Sequence, residues 1–291
     1  LEVKSSELLK VGGTALLVAV LGVMVPFALG WGIMLLWGRP QVEAIFVGAA
    51  MVATSVGITA QVLASKGLLQ ERASKIILAA AVIDDVLGLL VLALVSNLAT
   101  GKVNLAGLAT TALAAAGFTI LVAKWGTRTM NRVVPRLTES LRSGEGQFTL
   151  SMVLLFALSL LAVYAGVAAI IGAFLAGMAL ADSVDRRVHD LAHGVTELLV
   201  PFFLAGIGLH LELAVFKNPS ILILSVVILA AALFSKFAGC AAGALPIGLR
   251  DAVRIGVGMM PRGEVGMVVA QLGLAMGVMS GATYAVVVFM A

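Results

Sequence analysis

Two adjacent carboxylates, Asp84 and Asp85, sit in the middle of the apolar stretch AAAVIDDVLGLLVLAL (residues 79–94), and Lys236, Arg262 and Glu264 lie in other apolar stretches. Each such charge costs roughly 2.5 to 3.5 kcal/mol at the centre of a membrane helix, so the set should be paired, turned toward protein and functional. Neighbours on a helix leave its axis about 100° apart, so Asp84 and Asp85 cannot do the same job. One can meet a buried cation from another helix. The other can face a cavity, where it holds a proton or a small cation and exchanges one for the other. Lys236, in LFSKFAGCAAGALP, is the natural partner for one of the pair. Ion pairing for packing alone is the plainer alternative.

Two further segments look built to interrupt a helix. VATSVGITAQVL (52–63) places Thr54, Ser55, Gly57 and Thr59 in mid-span, and GVGMMPRGEVGMVVA (256–270) does so with Pro261, Arg262, Gly263 and Glu264. Proline removes a backbone donor, and freed carbonyls and amides are tolerated at bilayer depth only when buried in protein or lining a cavity. Half-helix ends then offer partial charges that Arg262 and Glu264 can neutralise. A kink used only for packing is the plainer reading, and it suits the first segment better than the second.

The elements that must hold these residues are membrane helices. Of 291 residues, 61% are hydrophobic and 12% charged, and the mean hydropathy is +1.13, far outside the soluble range. Apolar runs recur near 11–36, 42–64, 76–97, 105–123, 147–164, 166–181, 195–212, 220–246, 253–276 and from 282, with short polar breaks. The alternation of a membrane β-barrel is absent, so the class is an all-α polytopic bundle of about ten spans. Fourteen Lys and Arg fall in one set of loops, against Arg39, Lys102 and Lys217 in the other. That bias puts the N-terminal segment on the cytoplasmic side and GRPQVE, ATGKVN and LELAVFKNPS outside. The net charge of +4 is thus a topology signal, with no nucleic-acid partner implied.

The basic loop 124–147 reads as an interfacial connector. Cys240, the single cysteine, excludes an internal disulfide and reads as a packing residue. His189, His193 and His210 read as solvated groups at loop or span ends, and Asp182, Asp185, Arg186, Arg187 and Asp190 as a cytoplasmic loop. A catalytic triad, a phosphate loop and a metal-ligand cluster are missing, so enzyme chemistry and a resident cofactor are not expected.

With TSVGITA, AAVIDDVLGLLVLA, IIGAFLAGMAL, PFFLAGIGLHLEL, SKFAG and GVGMMPRGEVGMVVA in this order, the chain resembles the monovalent cation:proton antiporter superfamily, CPA2 branch, over essentially its whole length. The resemblance implies a sodium/proton antiporter fold with inverted repeats and two crossing discontinuous helices, 42–64 and 253–276. It implies core ion-translocation elements at 11–97 and 220–291, with connecting helices at 105–212. With a first residue that is not Met and an apolar run at the end, it implies a partial domain, lacking the first helices and most of the last, of a homodimer in the cell membrane. By position it makes Asp85 the carboxylate that binds the transported Na+ or Li+ and carries the proton, and Asp84 the ion-pair partner of Lys236. Arg262 and Glu264 fall in the second unwound segment, with Thr54 and Ser55 at the first. The activity implied is electrogenic exchange by an elevator-type movement. Potassium/proton exchange within the same superfamily is the alternative, and a non-transporting membrane sensor the alternative of another class.

Overall fold

The computed structural model describes residues 12–99, 144–164, 169–180 and 184–291; the expected span 105–123 and most of the loop 124–147 lie outside them. Every regular element among the described residues is helical. Among the described residues, six helical stretches are long and apolar enough to cross a membrane, so the chain is an integral multi-pass membrane protein. The chain divides into two compact units, Val103–Gly206 with Leu1–Glu2, and Val3–Lys102 with Ile207–Ala291.

In the first unit, α5 (Gly144–Tyr164) packs on α6 (Ala169–Leu180). Gln147 donates to the Asp185 carboxylate at 2.9 Å, ahead of α7 (Arg186–Leu209). The stretch expected to be a cytoplasmic loop is therefore helical from Arg186 onward. Its pattern allows this: Val188 is buried while Arg186, Arg187, His189 and Asp190 are exposed, the one-sided arrangement of a helix that starts in water.

The second unit contains α1 (Gly12–Leu36), α2 (Gln41–Val52), α3 (Val56–Ser65), α4 (Arg72–Ala99), α8 (Pro219–Ala244), α9 (Leu249–Gly258), α10 (Glu264–Ala275) and α11 (Gly281–Met290). Its centre is the pairing of α1 with α8; α2 and α4 pack on α1, and α9 and α11 on α8. Both expected interruptions are present. The run 42–64 divides at residues 53–55 into α2 and α3, and 253–276 divides at 259–263 into α9 and α10. Half-helices of 10 and 12 residues reach only about 15 to 18 Å, so neither α9 nor α10 spans the bilayer alone.

Small residues let α1, α2 and α8 approach closely. A Cβ on Gly239 would meet the Leu21 carbonyl oxygen at 2.5 Å, one on Gly243 the Val18 Cα at 2.7 Å, and one on Gly48 the Phe27 carbonyl at 2.8 Å. Backbone that near leaves no room for a side chain, and in lipid, where apolar burial gives little drive, such contact is what holds helices together. The large apolar side chains left exposed, such as Met24, Phe156, Phe202 and Phe234, suit hydrocarbon.

One charge departs from expectation. Glu43, in a segment expected to be an outer loop, is 4% exposed in the first turn of α2. Its Oε1 accepts from the Ser280 amide at 3.0 Å and hydroxyl at 2.8 Å, and Ser280 caps α11. A carboxylate near a helix start is favoured by the helix dipole and can be buried there when its oxygens find donors.

Gly239→Ala places a methyl group where the α1 backbone already sits. It is expected to cost on the order of 1–3 kcal/mol, read as a lower unfolding midpoint in detergent; an unchanged midpoint would mean that the α1–α8 seam opens freely.

Candidate functional site

The site lies where the two interruptions meet. Pro261 offers its carbonyl to the Ser55 amide at 2.9 Å, and the Thr59 hydroxyl donates to the Gly258 carbonyl, the last residue of α9, at 2.8 Å. Gly263 makes the approach feasible, since a Cβ there would lie 2.9 Å from the Ser55 Cβ. Each interruption thus supplies partners for polar backbone that the other exposes.

The C-terminal end of α2 is closed by two cations. Arg262, 8% exposed, donates through Nη1 to the carbonyls of Met51 at 2.6 Å and Ala53 at 2.7 Å. Its Nη2 donates to the Ala232 carbonyl on α8. Between those two carbonyls, Val52 accepts from Lys236 Nζ at 2.7 Å. The end of a helix carries about half a negative charge on carbonyls without helical partners, so cationic donors are well matched there.

Lys236 is fully buried on α8, and its ammonium has three protons to place. They go to Val52 O, to Gly22 O on α1 at 2.9 Å, and to Asp84 Oδ1 on α4 at 2.6 Å. Asp84 is 1% exposed. The lysine–aspartate pair, which the residue pattern alone left between two carboxylates and the family resemblance gave to Asp84, is formed by Asp84.

Asp85, the next residue on α4, is half-buried. With the two side chains about 100° apart around the axis, the ion pair takes one carboxylate and the more accessible face takes the other. Asp84 Oδ2 and the Thr54 hydroxyl are buried oxygens, and Thr54 lies within hydrogen-bonding reach of the Asp84 carboxylate. Thr54 and Ser55 are both 4% exposed, within the first interruption. Glu264 begins α10, and its side chain lies outside what is described.

Asp84, Lys236, Arg262, Thr54 and Ser55 are thus gathered around the two interruptions, with Asp85 adjacent along α4. Three contributors were not named as site residues from sequence. The Gly22 and Val52 carbonyls carry no side-chain signal, and Thr59, noted only as a mid-span polar residue, closes the end of α9. Chemically, the arrangement offers a carboxylate with partial access, two further buried oxygens on Thr54 and Asp84, and a fixed ammonium beside them. Among the described residues no group of three His, Cys, Asp or Glu side chains could hold a metal ion.

Comparison with known proteins gives a consistent result. The model of the family described as "Sodium/hydrogen exchanger, transmembrane" matches residues 1–291. The chain is 35% identical over 301 aligned residues to the high-affinity Na(+)/H(+) antiporter NhaS3 of Synechocystis, covering 100% of this chain and 64% of that protein. It is 31% identical over 288 residues to the Na(+)/H(+)-K(+) antiporter GerN of Bacillus cereus, covering 96% of this chain and 72% of the relative. A Na(+)/H(+) antiporter of Enterococcus hirae is 29% identical over 283 residues, with 94% and 72% covered. The chain therefore spans 64% to 72% of the length of these relatives, less than two thirds of the Synechocystis protein.

Removing one member of a buried pair strands the other, whereas replacing both is milder. Asp84→Ala is expected to destabilise the fold by roughly 3–5 kcal/mol, and Asp84→Asn with Lys236→Met by clearly less. Denaturation in detergent compares them; equal losses would contradict the pair as the central tie.

Proposed function

Given that the chain belongs to the sodium/hydrogen exchanger transmembrane family, we propose that the protein exchanges a monovalent cation, Na+ or Li+, for protons across the membrane. The observation that carries the reading is the buried Asp84–Lys236 pair at the meeting of two helix interruptions, with the half-buried Asp85 next to it. Relatives named as Na(+)/H(+) antiporters support the same cargo. The name of the Bacillus cereus relative includes K(+), which favours potassium as the second reading.

In this proposal Asp85 binds either the cation or a proton, so the two cannot travel together in one direction. Thr54 and the second oxygen of Asp84 complete the cation's shell, and Ser55 fixes the interruption that presents them. Arg262 holds the end of α2, and Glu264 lies at the opposing helix start. Charge counting bears on coupling. If Lys236 keeps its proton throughout, one cation exchanges for one proton and no net charge moves. If the cation draws Asp84 away and Lys236 releases its proton, two protons move per cation and exchange is electrogenic. The second course, electrogenic exchange, is the one proposed here.

Alternating access is assigned to an elevator-type movement of the elements carrying the site, residues 11–97 and 220–291, against the connecting helices 105–212, within a homodimer. The protein resides in the cell membrane with the N-terminal segment of this chain on the cytoplasmic side, as the loop charges favour. Transported ions and lipid are its partners.

Proteoliposomes of the full-length protein test this directly. Added sodium is expected to drive proton movement in the wild type and not in Asp85→Asn, and an imposed membrane potential to change the rate. Proton movement with potassium alone would replace sodium as the cargo. No movement with either ion in a folded wild type would remove the transport reading in favour of a sensor role.

A further inference from the structure

The third acceptor of the Lys236 ammonium has an origin in the covalent chemistry of α1. In an α-helix the carbonyl of residue 22 normally accepts from the amide of residue 26. Residue 26 is proline, buried inside α1, and has no amide proton to give. A proline ring also pushes against the carbonyl four residues back, tilting it away from the helix axis. That carbonyl, Gly22 O, accepts from Lys236 Nζ at 2.9 Å.

Residue 22 is suited to the same end. A Cβ there would lie 2.7 Å from Cys240 Sγ, one turn beyond Lys236 on α8, and 3.6 Å from Lys236 Nζ itself. Glycine at 22 leaves the path of the lysine clear, and proline at 26 leaves the carbonyl unoccupied. Neither residue carries charge or touches the cargo-binding oxygens.

We infer that the Gly22–Pro26 pair of α1 is a device for presenting one main-chain acceptor to Lys236, and that Pro26 is a positioning residue for the Asp84–Lys236 ion pair. Its functional meaning rests on the antiport reading above. An alanine at 26 would restore an amide that competes for Gly22 O, and the ammonium would lose a share of its third acceptor. Proline inside a helix ordinarily costs stability, so Pro26→Ala should stabilise the protein if the kink is all that Pro26 provides. If it serves Lys236, the effect must depend on whether Lys236 is present.

The test is a double-variant comparison read by thermal unfolding of the detergent-solubilised full-length protein. In the natural background, Pro26→Ala is expected to lower the melting temperature by roughly 2–4 °C. In the Asp84→Asn, Lys236→Met background, Gly22 O has lost its ammonium, and the same substitution is expected to raise the melting temperature. A shift of equal sign and size in both backgrounds overturns the inference. In liposomes, an ammonium with one acceptor fewer depends more on Asp84 and yields it to the cation less readily. Pro26→Ala is then expected to raise the half-saturating sodium concentration by roughly three- to tenfold. An unchanged or lower half-saturating concentration also overturns it. The unfolding comparison needs no transport, so absence of flux in the wild type would remove the antiport reading and leave the inference to be decided by the melting data.

Discussion

The fold depends on satisfying a single fully buried ammonium group. Lys236 Nζ sits on α8 and donates to α1, to the end of α2 and to α4, so four helices converge on one atom. A charge of that kind, left uncompensated in a low-dielectric interior, would cost several kcal/mol. With an acceptor for each of its protons it becomes a constraint instead, because any displacement of one helix leaves a donor without its partner. The close α1–α8 seam at Gly239 and Gly243 has the same consequence from the packing side. It brings the two backbones near enough for the lysine on one helix to reach a carbonyl on the other.

Around that atom the interruptions follow a simple accounting of backbone polarity. Ending α2 in mid-bilayer exposes carbonyls that have no helical donor, and lipid offers none. Met51, Val52 and Ala53 are met in turn by Arg262, Lys236 and Arg262. Ending α9 exposes the Gly258 carbonyl, which Thr59 meets. The two interruptions are therefore stable together in a way that neither would be alone. Arg262 sits in one and closes the other. Ser55 in the first gives its amide to Pro261 in the second.

Much of this was legible because its determinants are side chains with a cost in lipid. Asp84, Lys236 and Arg262 stood out as charges in apolar runs, and Pro261 with Gly263 marked an interruption through lost donors and small size. What was not legible falls into two kinds. Main-chain acceptors such as Gly22 O and Val52 O leave no letter in the sequence, although Pro26 at mid-span was a readable sign that one carbonyl had been freed. Exposure of helix ends is the other kind. Glu43 reads as an outer-loop acid by its neighbours Arg39 and Pro40, yet it is buried because Ser280, 237 residues later, supplies donors. Likewise Arg186 to Asp190 read as a loop by charge, whereas a helix that extends beyond the apolar layer shows the same residues on its wet side.

The adjacency of Asp84 and Asp85 sets the remaining relation between stability and the proposed exchange. Two carboxylates one residue apart are held by one rigid helix, so whatever draws Asp84 from Lys236 also turns Asp85, and the reverse. A cation that engaged Asp85 with Thr54 and the second oxygen of Asp84 would pull on the same group that the lysine uses to tie α4 to α8. In the proposed exchange, the interaction that makes the fold specific is therefore the one the cation would have to weaken. Such a site cannot be both maximally stable and able to exchange its ion, because a pair too strong to loosen would hold the helices in a single state. Residues that set how firmly the ammonium is held, although they touch no ion, then govern the balance.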